Sequence, residues 1–176
     1  MADRIPEAAA LHLATPAIDP TALVLPGAHV HGAVTIGAEA FVLFGVVIRA
    51  EFDRISVGRQ SNIQDNAVIH CDEGIPALVG ERVTVGHGAV VHGATVADHA
   101  LIGIGAKALN RSEVGEGAWL AAGSVLAEGR AIPAWTLAVG IPARPIRDLS
   151  PDEVKRAEEG VDHYLELAGA YREIFD

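Results

Sequence analysis

The sequence predicts an all-β solenoid, a parallel β-helix of hexapeptide repeats with a C-terminal α-helix packed along it. Three observations carry that expectation. Aliphatic residues recur at every sixth position, glycine often follows the aliphatic position, and the closing segment switches to helical spacing. Composition agrees. Half of the 176 residues are hydrophobic but only 5% are aromatic, and 19 are glycine, which suits short strands around a narrow core.

Residues 1–22 are rich in Ala and Pro and read as an irregular lead-in, followed by a β-helix domain over 23–147. The beat runs Val24, Val30, Ile36, Val42 and Ile48, and after an insertion resumes at Val57, Ile63 and Ile69. A second insertion precedes Val79, Val85 and Val91; after a deletion come Val96, Ile102, Ala108, Val114, Leu120 and Leu126. Only Ala108 departs from Val, Ile or Leu. Gly37, Gly58, Gly80, Gly86, Gly103 and Gly115 follow the beat directly and mark corners that need a positive φ or a close backbone approach. Each hexapeptide supplies one short flat strand and one corner, so three of them close a triangular coil of about 18 residues.

Toward the C-terminus the beat fades through Ile132 and the segment GIPARPIRDL. Residues 148–176 form the last unit. Ser150 offers an N-cap, Pro151 stands at the first helical position and Glu153 supplies the carboxylate of a capping box. Val154, Ala157, Val161, Leu165 and Ala168 follow at helical spacing, so a helix is expected from 151 to 174, folded back on the solenoid. Gly160 and Gly169 weaken it, and packing must compensate.

The formal net charge of −10 argues against nucleic-acid and anionic-membrane surfaces and fits a protein that handles something small. The first twenty residues hold Asp3, Arg4, Pro6, Glu7, His12 and Pro16, so neither a signal peptide nor a membrane span is read there. A single cysteine, Cys71, forms no intrachain disulfide, and a cytoplasmic location is expected.

The beat also decides where the histidines stand. His70 follows Ile69 and His92 follows Val91, and their separation equals one coil plus the four-residue insertion. They therefore stack on one edge of the prism, about 4.8 Å apart, with Arg49 one coil earlier on the same edge. His87 follows Val85-Gly86 and belongs to another edge, together with Gln64 and Asp65 after Ile63. One side of the prism spans roughly 17 Å, too far for His87 to join the pair within one chain. A threefold assembly would bring one edge against the other edge of the next chain. Three histidines with one open position are the ligand set of a catalytic zinc site. His12, His29, His99 and His163 read as surface or hydrogen-bonded residues, and His31 stacks one coil before Arg49.

The segments VVIRAEFDRISVG, NIQDNAVIH, VTVGHGAVVHGATV and GIPARPIRD, with the tyrosine-bearing C-terminal helix, resemble the γ-class carbonic anhydrases over nearly the whole chain from about residue 20. The resemblance implies a left-handed β-helix and a homotrimer with sites shared between subunits. It also implies reversible hydration of CO2 to bicarbonate by a metal-bound hydroxide. His70, His87 and His92 would be the ligands of Zn2+, with Fe2+ or Co2+ as alternatives. Gln64 would orient the hydroxide, Arg49 would pair with Asp65 across the interface, and Tyr164 matches a tyrosine near the metal. Glu73, three residues after His70, occupies the place of a proton-shuttle glutamate. Two departures stand out. Arg49-Ala50-Glu51 replaces the usual Arg-Gly-Asp, and the long acidic loop is missing. Two alternatives remain: a hexapeptide acyltransferase or thioesterase acting on an acyl-CoA, and a weakly active metal-binding scaffold of the same type.

Overall fold

The computed structural model describes residues 14–175. The reading of the N-terminal residues, His12 included, lies outside the described residues as far as residue 13. The rest is a left-handed parallel β-solenoid of about seven coils with a single C-terminal helix. The solenoid begins inside the expected lead-in. Strand Ala17–Ile18 pairs in parallel with Thr35 and Ile36, because Ile18 falls 18 residues before a beat position and so has a coil to add to.

Three faces close the prism. Strands Val68–His70, Val90–His92, Lys107–Ala108 and Val125–Leu126 continue from the first half of Val47–Val57. Its second half pairs with Ala77–Val79, which leads through Thr95–Val96 and Glu113–Val114 to Ala131–Ile132. The third face runs from Leu23–Val24 to Thr136–Gly140. GIPARPIRD is no further coil: Ala143–Asp148 folds back antiparallel on Thr136–Gly140 and ends the stack.

Every beat residue from Ile36 to Leu126 is buried. A second inward column lies two residues before it and is mostly small: Ala40, Ala67, Ala89, Ala100, Ala106 and Ala118 alternate with Ser61, Ser112 and Ser124. Close packing in a narrow triangular core favours small groups there, with Val34, Val46, Ile55 and Val83 the larger members of the column. Ser61 meets its buried hydroxyl's needs locally, donating to the Gly80 carbonyl at 2.8 Å and accepting from the Val83 N–H at 2.9 Å.

The glycines after the beat serve close approach. A Cβ at Gly37 would stand 2.8 Å from the Arg59 nitrogen, and one at Gly86 2.8 Å from that of Ile104. The positive φ falls two residues later, at Glu39 (57°), Gln60 (57°), Arg82 (52°) and Gly88 (64°).

The helix α1 spans Pro151–Phe175. Ser150 and Glu153 form the capping box, the Glu153 N–H reaching Ser150 Oγ at 3.3 Å and the Ser150 N–H reaching Glu153 Oε2 at 2.8 Å. Arg147 grips the same carboxylate with both guanidinium nitrogens at 2.7 and 2.8 Å, which brings its pKa down to about 2. Tyr164, Leu167, Ala168 and Tyr171 pack on Leu23, Leu25, Phe41 and Leu43 of the third face. Arg82 adds ion pairs to Glu158 and Asp162, and His99 meets Glu158 at 2.7 Å. These contacts supply the packing that Gly160 and Gly169 require. Among the described residues no helix is long and apolar enough to cross a membrane.

Candidate metal centre

Parallel pairing sets His31, Arg49, His70 and His92 beside one another in successive coils. His70 Nδ1 stands 2.9 Å from His92 Nε2, with the ring centroids 4.9 Å apart. The backbone explains this directly. Ile69 and Val91 are inward beat residues in register, so the residue after each projects outward from the same edge.

The remaining expected residues gather elsewhere. His87 Nδ1 lies 2.9 Å from Asp65 Oδ2, and the His87 backbone N–H donates to Gln64 Oε1 at 3.2 Å. The Gln64 amide donates to Asn62 Oδ1 at 3.0 Å, which keeps this buried side chain in place. Tyr164, on α1, packs with its ring centroid 6.5 Å from that of Phe41; burial pushes its phenol pKa up, and the charge of Asp65 adds to the effect. One chain thus presents two separate groups, Arg49 with His70 and His92, and Gln64 and Asp65 with His87. Glu73 is exposed on the tight turn closed by the Asp72–Ile75 bridge, where Gly74 takes a φ of 70°.

Two residues absent from the sequence expectation join the first group. His92 Nδ1 meets Asn110 Oδ1 at 2.7 Å, and the Asn110 amide donates to Asp72 Oδ2 at 2.7 Å. Among the described residues, His70, Asp72 and His92 form the cluster whose ligand atoms all lie within 4.8 Å of one another. The signals for both were weak. Asp72 is two residues after His70, hence on the same side of an extended chain, and Asn110 follows His92 by 18 residues, close to one coil.

Glu51 lies 9% exposed and pairs with Arg49, while its Oε2 faces His70 Nε2 at 3.5 Å. Neither of those two buried atoms has a hydrogen-bond partner. Burial lowers the His70 pKa, the Arg49 charge and the neighbouring His92 ring lower it further, and Asp72 opposes them. The ring is therefore held neutral, the state in which imidazole binds a metal. The donor set fits a borderline divalent cation. Tetrahedral zinc with N ligands at 2.0–2.1 Å needs about 3.3 Å between neighbouring nitrogens, a few tenths more than the observed spacing. A cation on His70 Nδ1 would also place the ring proton on Nε2, giving Glu51 Oε2 the donor it lacks. Cys71 takes no part: it is buried against the Asp53 carbonyl, and burial raises its thiol pKa.

No protein-family model matches the chain. It is 38% identical to gamma carbonic anhydrase 2, mitochondrial, of Arabidopsis thaliana over 88% of its own length, and spans 58% of that longer relative. It is also 38% identical to the carbonic anhydrase of Geobacillus kaustophilus, covering 90% of this chain and 87% of that one. A solved structure of a hexapeptide transferase family protein from Anaplasma phagocytophilum superposes with a TM-score of 0.85 at 34% identity, covering 89% and 92% of the two chains.

Proposed function

The chain belongs to the gamma carbonic anhydrase family, and on that footing we propose that it is a metal-dependent carbonic anhydrase acting at the interfaces of a homotrimer. The observation that carries the reading is the split of the histidines. His70 and His92 share one edge in register while His87 stands with Gln64 and Asp65 on another, so a second copy is needed to complete a three-imidazole set.

A divalent metal held by His70, His87 and His92 would supply Lewis-acid chemistry that acidifies water near neutral pH, with zinc proposed and ferrous iron or cobalt as alternatives. The chain's own residues do the rest. Neutral His70 offers a lone pair, with Glu51 as acceptor for its remaining N–H. Asp65 holds His87 through Nδ1 and leaves Nε2 outward for the neighbouring chain. The Gln64 amide, fixed by Asn62 and the His87 backbone, is placed to orient a hydroxide by hydrogen bonding. Arg49, half exposed, is free to turn from Glu51 toward Asp65 of a neighbouring subunit. Tyr164, whose phenol feels the charge of Asp65, is proposed to face the metal from α1. Glu73, exposed at the turn beyond His70, is a proton acceptor at the mouth of the site.

The test is elemental analysis of anaerobically purified trimer, followed by stopped-flow CO2 hydration on the same sample. Bound metal with measurable hydration supports the reading, and full metal with no detectable rate rejects the activity in favour of a scaffold. The hexapeptide transferase likeness supports a second reading, transfer of an acyl group from an acyl-CoA. That chemistry needs one general-base histidine and gives a shared three-histidine set no task, so metal content separates the two.

A further inference from the structure

We propose that Asn110, itself held by Asp72, is a positioning residue for His92. It fixes the imidazole in the tautomer whose Nε2 carries a free lone pair, and it sets the ring plane toward His70. The inference rests on His70 and His92 being metal ligands and extends the centre to two further residues.

The chemistry allows one assignment. A carboxylate only accepts hydrogen bonds, so the amide nitrogen of Asn110 must be the atom 2.7 Å from Asp72 Oδ2. That leaves the Asn110 carbonyl oxygen on the other side, 2.7 Å from His92 Nδ1. A carbonyl oxygen accepts as well, so Nδ1 carries the proton. A neutral imidazole has a single N–H, hence Nε2 is bare, and Nε2 is the atom that stands 2.9 Å from His70 Nδ1. Turning the amide over would set its carbonyl against the Asp72 carboxylate, acceptor against acceptor.

A second observation shows space reserved for this amide. The residue after His92 is Gly93, at a φ of 55°, and a Cβ there would run into the Asn110 side-chain oxygen. The Asp72 end is equally well defined. Asp72 stands two residues after His70, bridged to Ile75 across the turn Glu73-Gly74, so the relay joins the coil that carries His70 to the one that follows His92. In zinc sites such outer partners of a ligand histidine typically change metal affinity by about 10–100-fold.

The experiment uses the full chain. Imidazole 15N spectra of the metal-free protein read the His92 tautomer, and competition with a chelator reads the affinity for Zn2+ and Co2+. Wild type should show one tautomer with the proton on Nδ1. Asn110→Leu should lose that signature and bind Zn2+ about 10–100-fold more weakly. Asn110→Ala, which removes the amide without added bulk, carries the same expectation should the leucine variant not fold. Asp72→Asn still offers an oxygen to the amide and should keep the tautomer. A folded Asn110 variant with wild-type tautomer and wild-type affinity overturns the inference. Failure of the ligand reading would look different: wild type would bind no Zn2+ that His70→Ala removes, while the tautomer measurement would still stand.

Discussion

His87→Ala and His70→Ala remove opposite halves of the proposed centre, and mixing them tests the subunit-sharing geometry quantitatively. His70 sits on the strand Val68–His70, in register with His92, whereas His87 follows the strand Thr84–Val85 of the other sheet. Each variant alone therefore leaves every interface of a trimer defective. In a mixed trimer an interface is intact when the His87→Ala chain contributes His70 and His92 and the His70→Ala chain contributes His87. Any ring holding both kinds of chain has one such interface. Random assembly from equal amounts then restores about one quarter of the wild-type sites. Each variant would be purified, dialysed against chelator, and mixed after reversible dissociation, with trimer composition checked by native mass spectrometry. Metal per chain and CO2 hydration should both recover to about a quarter of wild type. Mixed trimers with no recovery, or His87→Ala retaining stoichiometric zinc on its own, would refute the edge assignment.

Ile69→Ala opens a cavity at a fully buried beat position between two stacked neighbours and should cost about 2–5 kcal/mol in denaturant unfolding. Arg82→Ala removes the pairs to Glu158 and Asp162; amide hydrogen exchange in α1 should accelerate while metal content stays unchanged. Glu153 has its folded pKa depressed from 4.5 to about 2 by Arg147 and the Ser150 N–H. Its contribution to capping is present above 4.5 and is lost as pH falls toward 2. Glu153→Gln should abolish that acid-dependent change in helix ellipticity, and a variant with an unchanged acid profile would dismiss the capping box as its source.

The fold was legible because each hexapeptide is a local statement. An aliphatic residue every sixth position states which atoms turn inward, and Ile36 through Leu126 are buried as that beat requires. The stacking of His70 on His92 follows from the same count once the insertion between them is subtracted, since parallel register is fixed by the inward residues Ile69 and Val91. Ser150 and Glu153 announced α1 for the same reason: capping is decided within four residues of chain.

What the sequence left open depends on groups brought together from far apart in the chain. Whether the corner glycines answered a steric or a conformational demand needed the next coil in place, and Gly37 against Arg59 settles it as steric. Asp72 reaches Asn110 across 38 residues, and Arg82 reaches Asp162 across 80, contacts that no periodicity encodes. The sequence by itself determined the coil, its inward faces and the two edges on which the imidazoles stand. Only the tertiary structure decided which polar neighbours surround those imidazoles. Side-chain hydrogen bonds at the rim depend on turn shape and on distances of a few tenths of an ångström, whereas burial of an aliphatic column depends only on its repeat.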